Sequence, residues 1–424
     1  MSTLCFVHAA DLHLDAPFRG IGQEAPESVA KTLREASFVA LDRLVALCER
    51  EKPAFLLLAG DILNQEEHSA RAQLRLLEAF KGLQRAGVLV FMVHGNHDPL
   101  SSRFASIHYP ANVTVFGADY AYHEVRDADG RLVAIVHGAS HASAKETRNL
   151  AALFKRTQDD CPQIGLLHTS RGDAEGGDRY APCTAEDLVA SGLDYWALGH
   201  VHEFCTLCEA PLAVYSGTTQ GSHINERGDK GCLLVRAETE GGHTACSLSR
   251  VALGPVVWDS ETVLLGTDDT DMGALEETLQ QRLTQLSEAA RPDCTLRVIR
   301  LVLQGHTPLD TTLREPSAKD ALLAALRAAS LPGVPVWIKD LDVRTRPALD
   351  RRDLLRREDL VGDLLRENDR LREEGQLEST MREALQPLFG HSRARRVLDA
   401  PTAGELEELI AGAEALCLEF LEKA

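Results

Sequence analysis

Apolar residues in the first hundred positions fall into two kinds of run. Residues 4–10 form a short apolar run broken by His8, and residues 55–59 and 88–93 are apolar throughout. Short runs of that kind predict buried strands. Between them, Val29, Leu33, Val39, Leu41, Leu44 and Leu47 recur at helical spacing, as do Leu74, Leu77, Phe80 and Leu83. Helices are therefore predicted over 26–51 and 66–85, with Gly87 near the second C-terminus. Strand, helix, strand, helix, strand is the alternation of an α/β layer, in which sites form at the carboxyl ends of the strands.

After Pro99 the apolar runs shorten. Strands are predicted over 113–116, 120–125 and 132–137, the last two joined by the turn Asp127-Ala128-Asp129-Gly130. A helix is predicted over 144–158, a strand over 164–167 and a polar loop over 171–180. Thr184 with Asp187 three residues on opens a further helix as a variant capping box. Strands follow over 195–198, 213–216 and 231–236, and the loop 217–230 reads as a solvated loop or a wall of a substrate groove. A boundary falls at Gly254-Pro255. Beyond it, strands over 261–265, 295–303 and 336–343 alternate with helices over 273–289 and 318–329, a small α/β domain. Residues 351–374 mix both charge signs around a leucine-rich helical stripe that includes Leu354, Val361 and Leu365, and a last helix is expected over 404–423. The expected division is 1–254, 255–347 and 348–424.

Composition narrows the setting. The chain has 424 residues, long enough for two or three domains, and only 5% are aromatic, so aliphatic side chains carry the packing. Its first residues read as a strand rather than a secretory leader, and no apolar run approaches the roughly 20 residues of a membrane span. A cytoplasmic protein without membrane contact is expected. Of ten cysteines, only Cys205 and Cys208 form a C-x-x-C, without a second pair at zinc-ribbon spacing, so thiols in a strand pair are expected there. A net charge of −19 argues against a free-standing DNA binder, although bound cations and local arginines can offset it at a site.

The polar residues that end these strands change the picture most. The run 88–93 leads into His94-Gly95-Asn96-His97-Asp98, and other strands end at Asp11-Leu12-His13, at Gly60-Asp61, at His168 and at Gly199-His200-Val201-His202. Such groups need partners if buried, which makes them poor packing and good metal ligands. One histidine at a strand end is ordinarily structural. Five strands whose metal-competent ends come in this order point to a centre for two divalent ions. Such a pair needs a bridging carboxylate, imidazoles and room for a shared water, whose pKa it lowers. Carboxylate, amide and imidazole donors suit manganese, with iron or zinc as alternatives, and the lack of thiolates speaks against a structural zinc site.

These blocks resemble the signature of the calcineurin-like metallophosphoesterases. The segments 11–18, 70–75, 93–99 and 195–200 look like the YhaO-like branch of bacterial DNA repair exonucleases, related to the SbcD nuclease subunit. Asp15 stands where SbcD-type subunits usually have glycine. The resemblance covers roughly the first 250 residues. It implies a two-sheet sandwich flanked by helices, followed by the smaller α/β domain and a helical tail. It implies Asp11, His13, Asp61 and His202 on one metal, and Asp61, Asn96, His168 and His200 on the other, with Asp61 bridging. His97 would be the catalytic histidine that contacts the scissile phosphate, and Asp98 would orient it. The activity implied is a metal-dependent DNA exonuclease, with DNA as substrate, a coiled-coil ATPase of the SbcC type as partner, and a homodimer left open. A small-molecule nucleotide phosphatase or phosphodiesterase shares the same ligands, and an inactive scaffold for the ATPase is the third reading.

Overall fold

The computed structural model describes residues 2–18, 25–64, 66–67, 69–102, 107–172, 179–348 and 351–390, with 401, 406, 409–410, 412–414 and 417. Strand β1 (Ser2–Ala9), helix α1 (Glu27–Glu51), strand β2 (Phe55–Ala59), helix α2 (Ala70–Arg85) and strand β3 (Leu89–Val93) come in the expected order. α2 starts four residues later than its periodicity suggests. The Ser69 hydroxyl accepts from the Ala72 N–H at 3.0 Å and caps the helix there.

Strands β4 (Val113–Val115), β5 (Ala121–Arg126), β6 (Leu132–Ala139) and β7 (Gln163–His168) follow, then helix α3 (Ala185–Ala190) with the expected capping box. β8 (Tyr195–Gly199), β9 (Cys205–Glu209), β10 (Leu212–Tyr215), β11 (Gly231–Glu240) and β12 (His243–Ala252) complete the set. They form two six-stranded sheets, in the orders β12-β11-β1-β2-β3-β4 and β5-β6-β7-β8-β10-β9. Because β1, β2, β3 and β4 are parallel, as are β6, β7, β8 and β10, carboxyl ends are collected side by side within each sheet.

The unbroken apolar runs arise because both faces of the central strands are covered. Phe55, Leu57 and Ala59 face the second sheet, packing with Ile164, Leu166, Tyr195 and Ala197. Leu56 and Leu58 face the other way, onto Leu41, Leu44, Leu76 and Phe80 of α1 and α2. On the outer face of the second sheet, Trp196, Leu198 and Tyr215 pack with Phe154 and Leu188. Each leucine, isoleucine or phenylalanine among them contributes about 1.5–3 kcal/mol when fully buried. His8, which breaks the first run, is fully buried too. Its Nδ1 lies 3.0 Å from the Tyr195 hydroxyl and its Nε2 3.2 Å from the Leu198 carbonyl, so it ties one sheet to the other.

Beyond the sandwich come β13 (Val256–Leu265), α4 (Met272–Glu288), β14 (Leu296–Thr307), α5 (Asp310–Arg314), α6 (Pro316–Ala328) and β15 (Val336–Pro347). The three strands form a third sheet in sequence order. Helices α7 (Arg351–Leu355), α8 (Leu360–Glu373) and α9 (Leu377–Gly390) follow. The chain divides into two compact units. One comprises residues 1–263, 273–303 and 316–343, and the other comprises 264–272, 304–315 and 344–424. No helix among the described residues is long and apolar enough to cross a membrane.

Several expected elements differ. Residues 144–158 hold only a 3-10 turn, Ala151–Leu153, because tertiary partners take their backbone groups: the Glu146 carbonyl accepts from Ala181 N–H, and Arg156 N–H donates to the Ser191 carbonyl. The stripe 351–374 is two helices rather than one, split where the Asp359 carboxylate caps α8 through the Val361 and Gly362 N–H groups. Leu354, Val361 and Leu365 pack together between α7 and α8. β12 and α9 have no counterpart in the expected elements. Cys205 and Cys208 both lie on β9 as free thiols. Part of the loop expected over 171–180 and most of the helix expected over 404–423 lie outside the described residues.

Candidate metal centre

The turns that leave the parallel strands are sharp. Seven described non-glycine residues have a positive φ, and five of them, Asp11, His13, Asp15, Asp61 and His200, lie in these turns. Each such conformation costs on the order of 1–3 kcal/mol, and the cluster marks a place where position matters more than local stability. Asp15 has a φ of 64°, a conformation glycine adopts at least cost. Here Asp15 uses its side chain as well, accepting from the Ser69 hydroxyl at 2.5 Å, while its N–H donates to Ser37 Oγ of α1. Gly95 is required for space. A Cβ on it would lie 2.2 Å from Asp61 Oδ1 and 2.8 Å from His168 Nε2.

The side chains so placed converge. Ligand atoms of Asp11, His13 and His202 lie within 4.8 Å of one another, as do those of Asp11, Asp61 and His168. Asp61 Oδ2 is 3.9 Å from His13 Nε2 and 3.4 Å from His168 Nε2, so this carboxylate, like Asp11, faces both groups. Asn96 Oδ1 lies 3.0 Å from His168 Nε2 and 3.2 Å from His200 Nδ1. The His97 N–H donates to Asp61 Oδ1 at 2.9 Å, and its ring centroid is 5.0 Å from that of His13. All seven residues expected as ligands, and His97, thus stand in one place.

The donor chemistry fits divalent cations. Asp11 and Asp61 are buried, with imidazoles and backbone N–H groups around them and no lysine or arginine ion-paired to either among the described residues. Burial pushes the Asp11 carboxyl up to about 6. Burial works the same way on Asp61, but His168 and His13 hold it well below the usual carboxylate range. Burial opposes charge on His168 as well, yet Asp61 lifts it to about 9, and burial lowers His13 to about 4 and His200 to about 3. His13 Nε2 and His202 Nε2 face each other at 3.2 Å. Two nitrogens pointed at one spot between buried carboxylates are suited to a shared cation.

The surrounding partners are less legible in the sequence. Asp98 does not hydrogen-bond to His97. Its Oδ2 accepts from the Ile62 and Leu63 N–H groups at 2.9 and 3.3 Å, its Oδ1 accepts from Gly95 N–H at 2.8 Å, and His94 Nδ1 lies 3.8 Å away. The expected orienting contact is therefore replaced by a clamp on the two turns that carry Asp61 and Asn96. A carboxylate in that position satisfies three backbone donors that β2 and β3 leave unpaired where they end. Glu226 is a residue that sequence reasoning does not reach. It is buried within the loop 217–230 and bonds His202 Nδ1 through Oε1. Its Oε2 accepts from the Ser222 N–H and hydroxyl. The start of that loop is built in rather than solvated: Thr218, Thr219 and Gln220 are buried, and the Thr218 hydroxyl donates to the Asp11 carbonyl at 2.6 Å. Nothing in the spacing around Glu226 announces a partner 24 residues earlier.

The calcineurin-like phosphoesterase family matches residues 5–204, and the family described as metallophosphoesterase YhaO, middle domain, matches residues 258–346. The metallophosphoesterase YhaO of Bacillus subtilis (strain 168) is 34% identical over 412 residues, covering 96% of each chain. The DNA double-strand break repair protein Mre11 of Aeropyrum pernix is 26% identical over 72% of this chain and 74% of its own. Among solved structures, a dimetal phosphatase from Danio rerio aligns with 59% of this chain and 97% of its own at a TM-score of 0.34 and 15% identity. Identity of that extent along nearly the whole of a YhaO chain, over strand ends that gather carboxylates, an amide and imidazoles, shows that this chain belongs to the calcineurin-like metallophosphoesterases, in the YhaO family, and is a hydrolase.

Proposed function

We propose that this hydrolase is a two-metal phosphodiesterase that acts on DNA as an exonuclease. The observation that carries the reading is the convergence of two ligand groups on shared carboxylates, with His97 alongside. Asp11, His13, Asp61 and His202 would hold one cation, and Asp61, Asn96, His168 and His200 the other, manganese being the first candidate. Cations bound there supply Lewis acidity, neutralising phosphate charge and acidifying water. The protein's own part is positional. The Asp98 clamp fixes the turns that carry Asp61 and Asn96, and Glu226 holds the His202 ring with Nδ1 as donor and Nε2 free to coordinate. His97, anchored by its N–H on Asp61, would contact the scissile phosphate and pass a proton to the leaving oxygen.

DNA as substrate is supported by the matches to archaeal chains named as DNA double-strand break repair proteins, and by the further chain after the sandwich, which a small-molecule phosphatase does not need. We read that further chain as an accessory domain over 255–347 and a helical region over 348–424 that docks a coiled-coil ATPase. The test is hydrolysis by the Mn²⁺-loaded protein of end-labelled linear DNA, set against nucleoside cyclic phosphates and nucleotides. Release of mononucleotides from linear DNA is the expected result. Turnover of the small substrates with intact DNA would overturn the DNA reading.

A further inference from the structure

A cleft of about 580 Å³ opens beside the metal centre, lined by Glu203, Phe204, residues 216–218, residues 227–232 and residues 250–252. Topology places it at the metal end of the first sheet. β11 runs antiparallel to β1, so its first residue, Gly231, lies beside the end of β1, from which Asp11 and His13 emerge, and Gly231 pairs with Ala252 at the end of β12. The connection to the centre is direct. Thr218 N–H donates to the His202 carbonyl at 3.2 Å, and its hydroxyl donates to the Asp11 carbonyl. The cleft wall and the metal ligands therefore share backbone.

The lining is cationic in a protein of net charge −19. Lys230 is only 8% exposed, with Nζ 3.4 Å from the His202 carbonyl and 3.8 Å from the exposed Glu203 carboxylate. The Arg250 guanidinium lies over the Phe204 ring, 4.8 Å from its centroid. Neither Arg227 nor Arg250 is ion-paired among the described residues, and both are exposed. Of the two acidic side chains in the lining, Asp229 is bound by Arg291 at 2.8 Å from outside it. The cleft is left with an excess of positive charge and a guanidinium held in place by an aromatic face. Burying an ammonium that has only a carbonyl and one long ion pair is costly without an anion to face it.

We propose that this cleft binds backbone phosphates that flank the scissile one on the strand being cut, through Lys230, Arg227 and Arg250. This assignment rests on the DNA reading above. It explains how an acidic protein holds a polyanion: cations gather in a cleft whose wall carries Lys230, 3.4 Å from the His202 carbonyl. The test measures binding of a fluorescent single-stranded oligonucleotide with a phosphorothioate backbone to full-length, Mn²⁺-loaded protein across a salt series. The double variant Arg227→Gln/Arg250→Gln and the single variant Lys230→Gln are compared with the wild type, with thermal melting as the check on folding. For every phosphate that a variant no longer neutralises, the slope of log affinity against log salt becomes shallower by about 0.7, so the double variant should flatten it by about 1.4. Because both arginines are exposed, the double variant keeps the test valid even if Lys230→Gln folds poorly. Wild-type binding with an unchanged slope in the double variant overturns the cleft assignment alone. A wild type that binds no oligonucleotide overturns the DNA reading and this assignment with it. Competition by inorganic phosphate or a mononucleotide at oligonucleotide concentrations would make the cleft a site for free phosphate and overturn the strand assignment.

Discussion

His202 Nδ1 is hydrogen-bonded to Glu226, a buried carboxylate in the loop that follows the second sheet. The bond decides which imidazole nitrogen carries the proton. With Nδ1 donating to Glu226, Nε2 is the nitrogen left to coordinate, and it lies 3.9 Å from Asp11 Oδ1 and 3.2 Å from His13 Nε2. Glu226→Gln should weaken one of the two Mn²⁺ sites by roughly 10–100-fold, the usual worth of such a partner. Titration calorimetry with Mn²⁺ reads this directly, and two unchanged affinities would remove Glu226 from the centre.

His97 and Asp61 should separate chemistry from metal loading. His97 touches the centre through its backbone N–H and a T-shaped ring contact with His13, so His97→Ala should retain both metals while losing roughly 10²–10⁴-fold in rate. Asp61 faces both ligand groups, so Asp61→Ala should lose both equivalents. Elemental analysis after dialysis distinguishes the two. A His97→Ala protein without metal would make His97 a ligand.

His8 should make the sandwich sensitive to acid. Burial lowers it to about 3 in the folded protein, from an ordinary value near 6.5. The unfolded chain therefore takes up the proton first. The stability that neutral His8 supports is complete above about pH 6.5 and is lost as pH falls towards 3, by about 1.4 kcal/mol per pH unit. His8→Gln should be less stable at pH 7, having altered bonds to Tyr195 and Leu198, but its stability should fall less steeply between pH 6 and 4. Urea unfolding at several pH values measures both slopes, and parallel curves would show that another group carries the effect.

The helical region bears on partnership. Leu354, Val361 and Leu365 are consumed in packing α7 on α8, while Leu360 stays 66% exposed. Removing residues 348–424 should leave hydrolysis of a chromogenic phosphodiester intact and, where a coiled-coil ATPase is encoded nearby, abolish co-purification with it. A truncated protein that still captures the ATPase at full strength would rule out docking through this region.

Local pattern carried the architecture of the first half and the set of candidate ligands. Buried parallel strands must be apolar on both faces, so they stand out as unbroken runs such as Phe55–Ala59, and the polar residues that end them stand out in turn. Where an element's backbone groups find partners far along the chain, local periodicity misleads. Residues 144–158 have helical spacing, but Ala181 and Ser191 claim their hydrogen bonds. The support of the centre is of the same kind. Asp98 is legible as a residue but not as the clamp on Ile62, Leu63 and Gly95, and Glu226 is not legible at all. A ligand type is written in the side chain itself, whereas the partner that fixes its tautomer is chosen by which loops fold against each other, and only the tertiary structure decides that.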